Sequence, residues 1–432
     1  MKLTLRRRGR GAARVLLIIE NVPLARDHRA RKQVGSLTEH GYDVTVICRR
    51  DGRNRAYADA AGATLLEFPA PAETASKIGF LWEYGFCLLA SFVLCLRAAA
   101  RGRFDVMQVG NPPDAQFLLA LPFRPFGCKL VVDQRDLSPE VFTDRYGKSE
   151  GLLFWVIRKL ERLSWKSADH VVTVNNSLAD TVVERGGLSR TSVTVVGNGP
   201  RRDRAADPRP EFKHGRKFLV MWLGLMGPQD HADLALEAAH HVVTTFGRDD
   251  CHFVFVGEGE ELPRLRRLSA EMGIESFVTF TGWLDEPQCI EYLATSDLAL
   301  DSNLQQEVTP VKGLEYMSFG VPMVAFDLRE TRVLAGEAGA YVTPGDSEAL
   351  AAAVVELLDD RFRRASMGAI ARRRIEETFA WERQESRFLH VYSTLVRTTA
   401  TTDGRRDRSA QTNDIGERPA RRHRSFQERS SR

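Results

Sequence analysis

Two glutamates with seven residues between them, and a lysine inside that interval, are the residue types and spacing in this 432-residue sequence that most directly suggest chemistry. Glu307, Lys312 and Glu315 lie between two short apolar runs, 296–300 and 323–326, which predict strands. A loop and then a short helix are expected between these strands, and a helix N-terminus at the carboxyl edge of a parallel sheet binds anions. Glu307 could therefore hold sugar hydroxyls, Lys312 with the helix amides a diphosphate, and Glu315 ribose hydroxyls.

The helix in this stretch is predicted to begin near Pro310, because proline is tolerated in the first turn of a helix. The backbone amides of Val311 and Gly313 would then point at the bound anion. Lys312 would lie in the first turn, where a cation opposes the helix dipole unless an anion is bound there too. The alternative is a solvated loop followed by an ordinary Lys312–Glu315 pair, three residues apart on a helix.

The stretch 307–322 resembles the E-x7-E element of the retaining family 4 glycosyltransferases of GT-B fold. The lysine three residues before the second glutamate, and Tyr316–Met317 after it, are similar to the variant found in sugar transferases of surface polysaccharide assembly. The resemblance covers roughly residues 14–398. It implies two Rossmann-like parallel α/β domains facing a cleft, and a retaining hexosyltransferase that moves a sugar from a nucleotide diphosphate-sugar to an acceptor hydroxyl.

Apolar runs alternate with helical stretches from 14 to 200, which predicts a parallel α/β domain. Two segments that follow its strands, 110–114 and 133–140, resemble the N-terminal, acceptor-side domain of the same glycosyltransferases. In that resemblance Arg135 occupies the place of the family's usual histidine. The first loop, from 21 to 28, also lacks the Gly-Gly that related enzymes often carry.

Asp136 is the carboxylate of this domain that we expect to act on the donor sugar. It follows a strand at the edge that faces the predicted cleft, where it could hydrogen-bond the sugar hydroxyls or stabilise positive charge developing on the ring. Asp133 and Glu140 are alternatives for the same role. Asp136 could instead be the N-cap of the helix that follows Leu137.

A second alternation of strands and helices, 214–380, predicts the nucleotide-sugar-binding domain. Gly224 ends its first strand and is expected to contact the donor. Gly282 and Trp283 follow another strand, where the nucleotide base could rest. The resemblance implies an arginine and a lysine after the first strand for the donor diphosphate, and the segment 224–230 contains neither.

Three further boundaries follow from composition. The charged segment 201–213, with two prolines and few apolar residues, predicts the interdomain linker. A helix over 381–398 is expected to cross back onto the N-terminal domain, as the GT-B resemblance implies. The segment 399–432 has many arginines and few large apolar residues, and is predicted to be a disordered basic tail.

Several classes of protein are not supported by the sequence. The six cysteines are scattered, with no C-x-x-C, which argues for a reducing compartment and against zinc or a disulfide framework. No G-x-G-x-x-G follows the first strand, so a nicotinamide or flavin is not expected, and no cofactor or metal is predicted. The net charge of +4 comes from basic ends without interleaved aromatics, which gives little support for nucleic-acid binding.

The basic first ten residues lack the apolar region of a signal peptide, so a cytoplasmic location is expected. The uncharged stretch 84–96 is shorter than the ~20 residues of a membrane-spanning helix. It predicts a buried core helix or, alternatively, a helix that docks on the inner face of the cell membrane, given the aromatic residues at its start. The expected partners are a nucleotide diphosphate-sugar, a saccharide or lipid-linked acceptor and this membrane face.

Two other functions remain open at this stage. A sugar-nucleotide epimerase of the same fold would need further acid–base residues in the cleft, where the sequence offers few histidines. A degenerate, non-catalytic binding protein is the second alternative, because the expected diphosphate Arg/Lys pair and the histidine at position 135 are missing.

Overall fold

The computed structural model describes residues 11–69, 77–147 and 149–412. The predicted basic leader 1–10 and the part of the predicted tail from 413 to 432 lie outside these residues.

The N-lobe is a seven-stranded parallel sheet with helices on its faces, in the strand order β3-β2-β1-β4-β5-β6-β7. Its elements are β1 (Arg14–Ile19), α1 (His28–Glu39), β2 (Asp43–Arg49), α2 (Asn54–Ala61), β3 (Thr64–Phe68), α3 (Lys77–Ala99), β4 (Val106–Gly110), β5 (Lys129–Gln134), α4 (Ser138–Tyr146), α5 (Leu152–Ser167), β6 (His170–Thr173), α6 (Asn176–Gly186) and β7 (Val193–Val195).

The C-lobe repeats this architecture with six parallel strands in the order β10-β9-β8-β11-β12-β13. Its elements are β8 (Phe218–Leu223), α7 (Ala232–Thr244), β9 (Cys251–Val256), α8 (Leu262–Glu271), β10 (Val278–Gly282), α9 (Glu286–Thr295), β11 (Leu298–Asp301), α10 (Val311–Ser318), β12 (Met323–Phe326), α11 (Arg329–Ala335), β13 (Gly339–Val342), α12 (Ser347–Asp359) and α13 (Arg361–Arg374). A last helix, α14, spans Trp381–Thr412.

Burial on both faces explains the continuous apolar runs of the central strands. Along β8, Val220 and Trp222 pack in the core on one face of the sheet, and Leu219 and Met221 pack in the core on the other. This is the arrangement of a parallel sheet covered by helices on both sides. The prediction of two parallel α/β domains is confirmed.

The helix α14 begins in the C-lobe and packs on the N-lobe. Trp381, Phe388 and Tyr392 are fully buried in the N-lobe core, and Trp381 Nε1 donates a hydrogen bond to Ser36 Oγ at 3.0 Å. The helix ends at Thr412 rather than at the predicted residue 398, because no proline interrupts the chain between these positions.

The helix α3 is longer than the uncharged stretch 84–96, because Lys77 and Glu83 are accommodated within its first turns. Residues 82–99 have a mean hydropathy of 1.3, and only 22% of them are buried. Trp82, Leu89, Val93 and Leu96 are 49–70% exposed. The opposite face packs on the N-lobe core through Cys87 and Cys95, which are fully buried. The interpretation of this stretch as a core helix therefore holds for one face and is wrong for the exposed face.

Candidate functional site

Lys312 lies in the first turn of α10 and points towards the carboxyl ends of β8 and β11. Its Nζ lies 3.6 Å from Asp301 Oδ1 and 4.4 Å from the centre of the Trp222 ring. A side chain at Gly224 would place its Cβ 3.5 Å from Lys312 Cε, so the glycine leaves the lysine its space. The predicted placement of Lys312 and Gly224 at one sheet edge agrees with this geometry.

The N-terminus of α10 is free of side-chain capping. Pro310 is the N-cap residue and makes no side-chain hydrogen bond to the helix, which begins at Val311. The first amides of a helix have no partner within the helix itself. The amides of Val311, Lys312 and Gly313 are therefore oriented as donors to an anion at this edge.

The loops after β8 and β9 approach each other more closely than side chains would allow. A Cβ on Gly257 would lie 1.8 Å from the carbonyl oxygen of Gly224. The amide of Gly224 donates to Val256 O at 3.0 Å, and the amide of Met226 donates to Glu258 O at 2.9 Å. These contacts hold the segment 224–230 against the segment 257–260.

Glu315 does not contact Lys312, although the two residues are three apart on α10. Its Oε2 pairs with the NH2 group of Arg204 at 2.6 Å, and its side chain is 22% exposed. The same NH2 group donates to Ser318 Oγ at 3.2 Å. The described side chains therefore do not form the Lys312–Glu315 ion pair that was the alternative interpretation of this stretch. Glu315 is instead held by Arg204, a residue of the predicted linker.

Glu307 lies on the loop before α10 with an exposed side chain. Its carbonyl oxygen accepts a hydrogen bond from Asn175 Nδ2 at 2.8 Å, and the same amide group donates to Thr309 Oγ1 at 2.9 Å. Asn175 is the N-cap residue of α6 in the N-lobe. Glu307 therefore lies where the two lobes meet, with its carboxylate directed to solvent.

Asp136 is placed at the same interface from the N-lobe side. The adjoining helix α4 packs against residues 228–230 of the C-lobe. Asn111 fixes the backbone at this point: Oδ1 accepts from the amides of Arg135 (2.6 Å) and Asp136 (3.3 Å), and Nδ2 donates to Asp136 O at 2.7 Å. The interpretation of Asp136 as a helix cap is wrong, because Leu137 is the N-cap residue of α4.

The alternatives to Asp136 are engaged in ion pairs. Asp133 is fully buried and bonded to Arg29 at 2.7 Å and to Arg135 at 3.1 Å. Burial opposes its ionisation, but these two guanidinium groups lower the pKa of Asp133 to about 2. Glu140 pairs with Arg185 at 2.5 Å. Burial raises the pKa of Asp136, and Arg135 partly offsets the increase.

Arg135, at the position where the resemblance implies a histidine, is part of a buried network. Besides Asp133 it pairs with Asp27 at 2.5 Å. Asp27 also caps α1 through the amide of Ala30. The arginine therefore connects the loop after β5 with the start of α1 and does not extend into the interface between the lobes.

A cavity of about 280 Å³ lies between the lobes next to Glu315. The helices α1 and α2 line one side, Arg204 lies on another, and Glu286 and Glu315 line the C-lobe side. Burial lowers the pKa of Lys32, which lines the cavity, to about 8, against the opposing effect of Glu315. An anionic group in the cavity would favour the charged form of this lysine.

Gly282 and Trp283 follow β10 on the C-lobe rim. Gly282 O accepts from the amide of Gly257 at 3.1 Å, and Gly282 has a φ of 72°. The indole Nε1 of Trp283 is buried and has no hydrogen-bond partner among the described residues. The guanidinium of Arg26, from the loop after β1, lies 5.2 Å from the centre of the Trp283 ring.

Sequence reasoning did not identify Arg26, Glu258 or Arg204 as residues of this interface. Arg26 pairs with Glu258 at 3.0 Å, and Arg204 holds Glu315. The position of Arg26 in a loop at the carboxyl end of a strand was a usable signal, because such loops face the cleft. The linker composition around Arg204 gave no comparable signal.

Two family models match the chain and together cover most of both lobes. The model described as "Glycosyl transferase 4-like domain" matches residues 27–199, and the model described as "Glycosyl transferases group 1" matches residues 217–360.

Three curated relatives are mannosyltransferases of actinobacteria. The GDP-mannose-dependent monoacylated alpha-(1-6)-phosphatidylinositol monomannoside mannosyltransferase of Corynebacterium glutamicum is 29% identical over 38% of this chain and 44% of its own length. The phosphatidyl-myo-inositol mannosyltransferase of Mycobacterium leprae is 34% identical over 41% and 46%. The MMP alpha-(1->4)-mannosyltransferase of Mycolicibacterium hassiacum is 25% identical over 74% and 76%. The matches thus span less than half of the first two relatives.

Solved structures share the fold over nearly the whole chain. Sucrose-phosphate synthase of Thermosynechococcus elongatus superposes with a TM-score of 0.73 at 15% identity, over 89% of this chain and 100% of that protein. Anabaena HepE in complex with UDP superposes with a TM-score of 0.68 at 16% identity, over 88% and 100%.

Proposed function

Because the chain belongs to the family 4 glycosyltransferases of GT-B fold, we propose that it transfers a hexose, with retention at the anomeric carbon, from a nucleoside diphosphate-sugar to an acceptor hydroxyl. The observation that carries this proposal is the position of Lys312 and Glu315. Both lie at the start of one uncapped helix, at the edge where the lobes meet, with side chains that are 11% and 22% exposed.

The donor diphosphate binds the amides of Val311 and Gly313 and the ammonium group of Lys312. Positive groups arranged beforehand around the leaving diphosphate stabilise its developing charge, so this step needs no metal ion. Gly224 allows the diphosphate to approach the backbone, since it has no side chain. The ribose binds Oε1 of Glu315, the oxygen opposite the one that Arg204 holds, and the base rests against Gly282 and Trp283.

The two remaining carboxylates act on the sugar. The exposed carboxylate of Glu307 accepts hydrogen bonds from the sugar hydroxyls. Asp136 faces the sugar from the N-lobe and stabilises positive charge that develops on the ring. Closure of the lobes around the donor keeps water away from the reacting carbon and limits hydrolysis.

A thermal-shift screen with UDP-, GDP- and ADP-sugars tests donor binding. A ligand present at a hundred times its dissociation constant stabilises the folded state by about 2.7 kcal/mol, so one donor class should clearly raise the melting temperature. Glu315→Ala and Lys312→Ala should each weaken that donor about tenfold or more, because each removes a charged hydrogen-bonding group. Glu271→Ala, at the exposed C-terminal end of α8, is the matched control. Stabilisation by none of the donors would leave a non-catalytic binding protein as the better account.

Nucleotide release measured with and without an added acceptor tests transfer itself. A transferase releases the nucleoside diphosphate faster when a saccharide or glycolipid acceptor is present. An epimerase interconverts sugar nucleotides without that dependence.

The acceptor is a saccharide attached to a lipid, and the enzyme reaches it at the inner surface of the cell membrane, in surface polysaccharide or glycolipid assembly. Four exposed apolar side chains of α3, Trp82, Leu89, Val93 and Leu96, are spaced by seven, four and three residues and so form one stripe along the helix. The exposed Arg97 and Arg101 follow the stripe and would meet anionic lipid headgroups. The relatives named for phosphatidylinositol substrates support the same acceptor class.

A further inference from the structure

The donor end of the C-lobe offers a diphosphate few charged side chains to add to the amides of α10. Lys312 is its cation, and Asp301, 1% exposed, lies 3.6 Å from it. Asp230 is a second acid beside the lysine: burial raises its pKa and Lys312 lowers it. The segment 224–230 contributes no arginine or lysine. A nucleoside diphosphate therefore meets one lysine whose charge two aspartates already offset.

The N-lobe places an arginine against this same rim. Arg26 lies on the loop between β1 and α1, and its NH1 group lies 3.0 Å from Glu258 Oε1, across the interface. The carbonyl oxygen of Glu258 accepts from the amide of Met226, which lies inside the segment 224–230. The guanidinium also lies over Trp283, where the proposed function places the base.

The Arg26–Glu258 contact is easily exchanged. Both side chains are well exposed, at 43% and 38%. Ion pairs of this kind contribute little free energy, so a stronger anion can replace the carboxylate. A guanidinium group can bind two phosphate oxygens at once through two parallel N–H donors. In the pair with Glu258, Arg26 contacts one carboxylate oxygen at 3.0 Å, so part of this donor capacity is unused.

We propose that Arg26 is a donor-binding residue: it leaves Glu258 and binds the donor diphosphate from the acceptor-side lobe, supplying the positive charge that the segment 224–230 lacks. This inference rests on the proposed function and extends it. Because the cation comes from the opposite lobe, the diphosphate is fully neutralised only when the lobes are closed, and tight donor binding and closure are one event.

Calorimetry on the full chain tests the inference. The dissociation constants of UDP, GDP and ADP are each compared with that of the corresponding monophosphate. For the base that the wild type binds, Arg26→Ala should weaken the diphosphate about tenfold and the monophosphate no more than about twofold. Glu258→Gln should leave diphosphate binding unchanged or tighter, since it releases Arg26. Arg53→Ala, which removes an exposed arginine of the same lobe that pairs with Asp51, is the control and should change neither.

Two results would overturn the assignment. Equal binding of the diphosphate by Arg26→Ala and wild type would show that Arg26 does not touch it. An equal loss in Arg26→Ala and Glu258→Gln would show that the pair only ties the lobes together. A wild-type chain that binds none of the six nucleotides would instead remove the proposed function, and this inference with it.

Discussion

Glu20, directly after β1, is 1% exposed, and its carboxyl group has a hydrogen-bond partner at only one of its two oxygens among the described residues. Gln116 Nε2 donates to its Oε2 at 3.1 Å, and its Oε1 has no partner among the described residues. Burial raises the pKa of Glu20 to about 7, although Gln116 and Arg49 act in the opposite direction. The group therefore favours the folded state when protonated and opposes it when ionised.

Glu20→Gln should stabilise the protein at pH 8 and have little effect at pH 4.5. An unfolded glutamate titrates at about 4.3, so the wild type loses stability as the pH rises from about 4 through 7, by roughly 4 kcal/mol at most. Denaturant unfolding at the two pH values measures the difference. Glu271→Gln on the exposed face of α8 is the control, and a constant difference between wild type and Glu20→Gln at both pH values would contradict the assigned titration.

Single residues were predictable where their position on an element decided their neighbours. Gly224 directly follows β8, and Lys312 begins the helix that follows β11, so both lie at the same edge of the sheet. The alternation of strands and helices in the sequence already implies this proximity. The partner of Glu315 was not predictable, because Arg204 comes from a segment without periodicity that only the fold brings to α10. Arg135 replaces the family histidine with a structural ion pair, which the residue type alone does not reveal.

At the scale of elements, the strands were predicted well and the ends of the helices less well. Buried parallel strands are short apolar runs between polar loops, so their limits are visible in the sequence. The limits of α3 are not, because its exposed stripe is apolar and its first turns carry charges. The hydrophobicity of α3 therefore predicted burial on a face of the helix that is in fact exposed.

Replacing Leu89 and Val93 together with glutamate should abolish most binding to anionic vesicles. Both side chains are more than half exposed, so the folded state loses little, while insertion of the stripe into a bilayer loses apolar area and gains two charges. We expect a decrease of more than tenfold in the partition coefficient on vesicles containing phosphatidylglycerol, measured by cosedimentation. Phe362→Glu, at a 77% exposed site on α13, is the control. Unchanged vesicle binding by the double variant would exclude α3 as the docking surface.

For the whole molecule, the alternation of strands and helices was enough to predict two parallel α/β domains, since this pattern forms few other architectures. The contacts between the lobes were beyond that reasoning. They are made by single polar side chains on loops and first helical turns, such as Asn175 and Arg26, and no periodicity marks them. The cavity beside Glu315 is lined by residues of both lobes, so its shape follows from the way the lobes meet.

A further contact between the lobes is a hydrogen bond between two buried side chains. Ser177 Oγ, in the first turn of α6, donates to Glu330 Oε1 of α11 at 2.5 Å, and both side chains are buried at the interface. The other carboxylate oxygen of Glu330 accepts from Thr309 at 3.4 Å, so Ser177 is its nearer partner. Loss of the serine hydroxyl leaves a buried carboxylate poorly satisfied when the lobes are closed, and water can reach it when they open.

Ser177→Ala should therefore favour the open arrangement and raise KM for the donor about tenfold, with a smaller change in kcat. Small-angle X-ray scattering should show a larger radius of gyration for the free variant than for the free wild type, and saturating nucleotide should reduce that difference, because the donor binds both lobes. Thr181→Ala, which removes a hydroxyl bonded only within α6, is the control. Identical scattering and KM for Ser177→Ala and wild type would show that closure does not depend on this hydrogen bond.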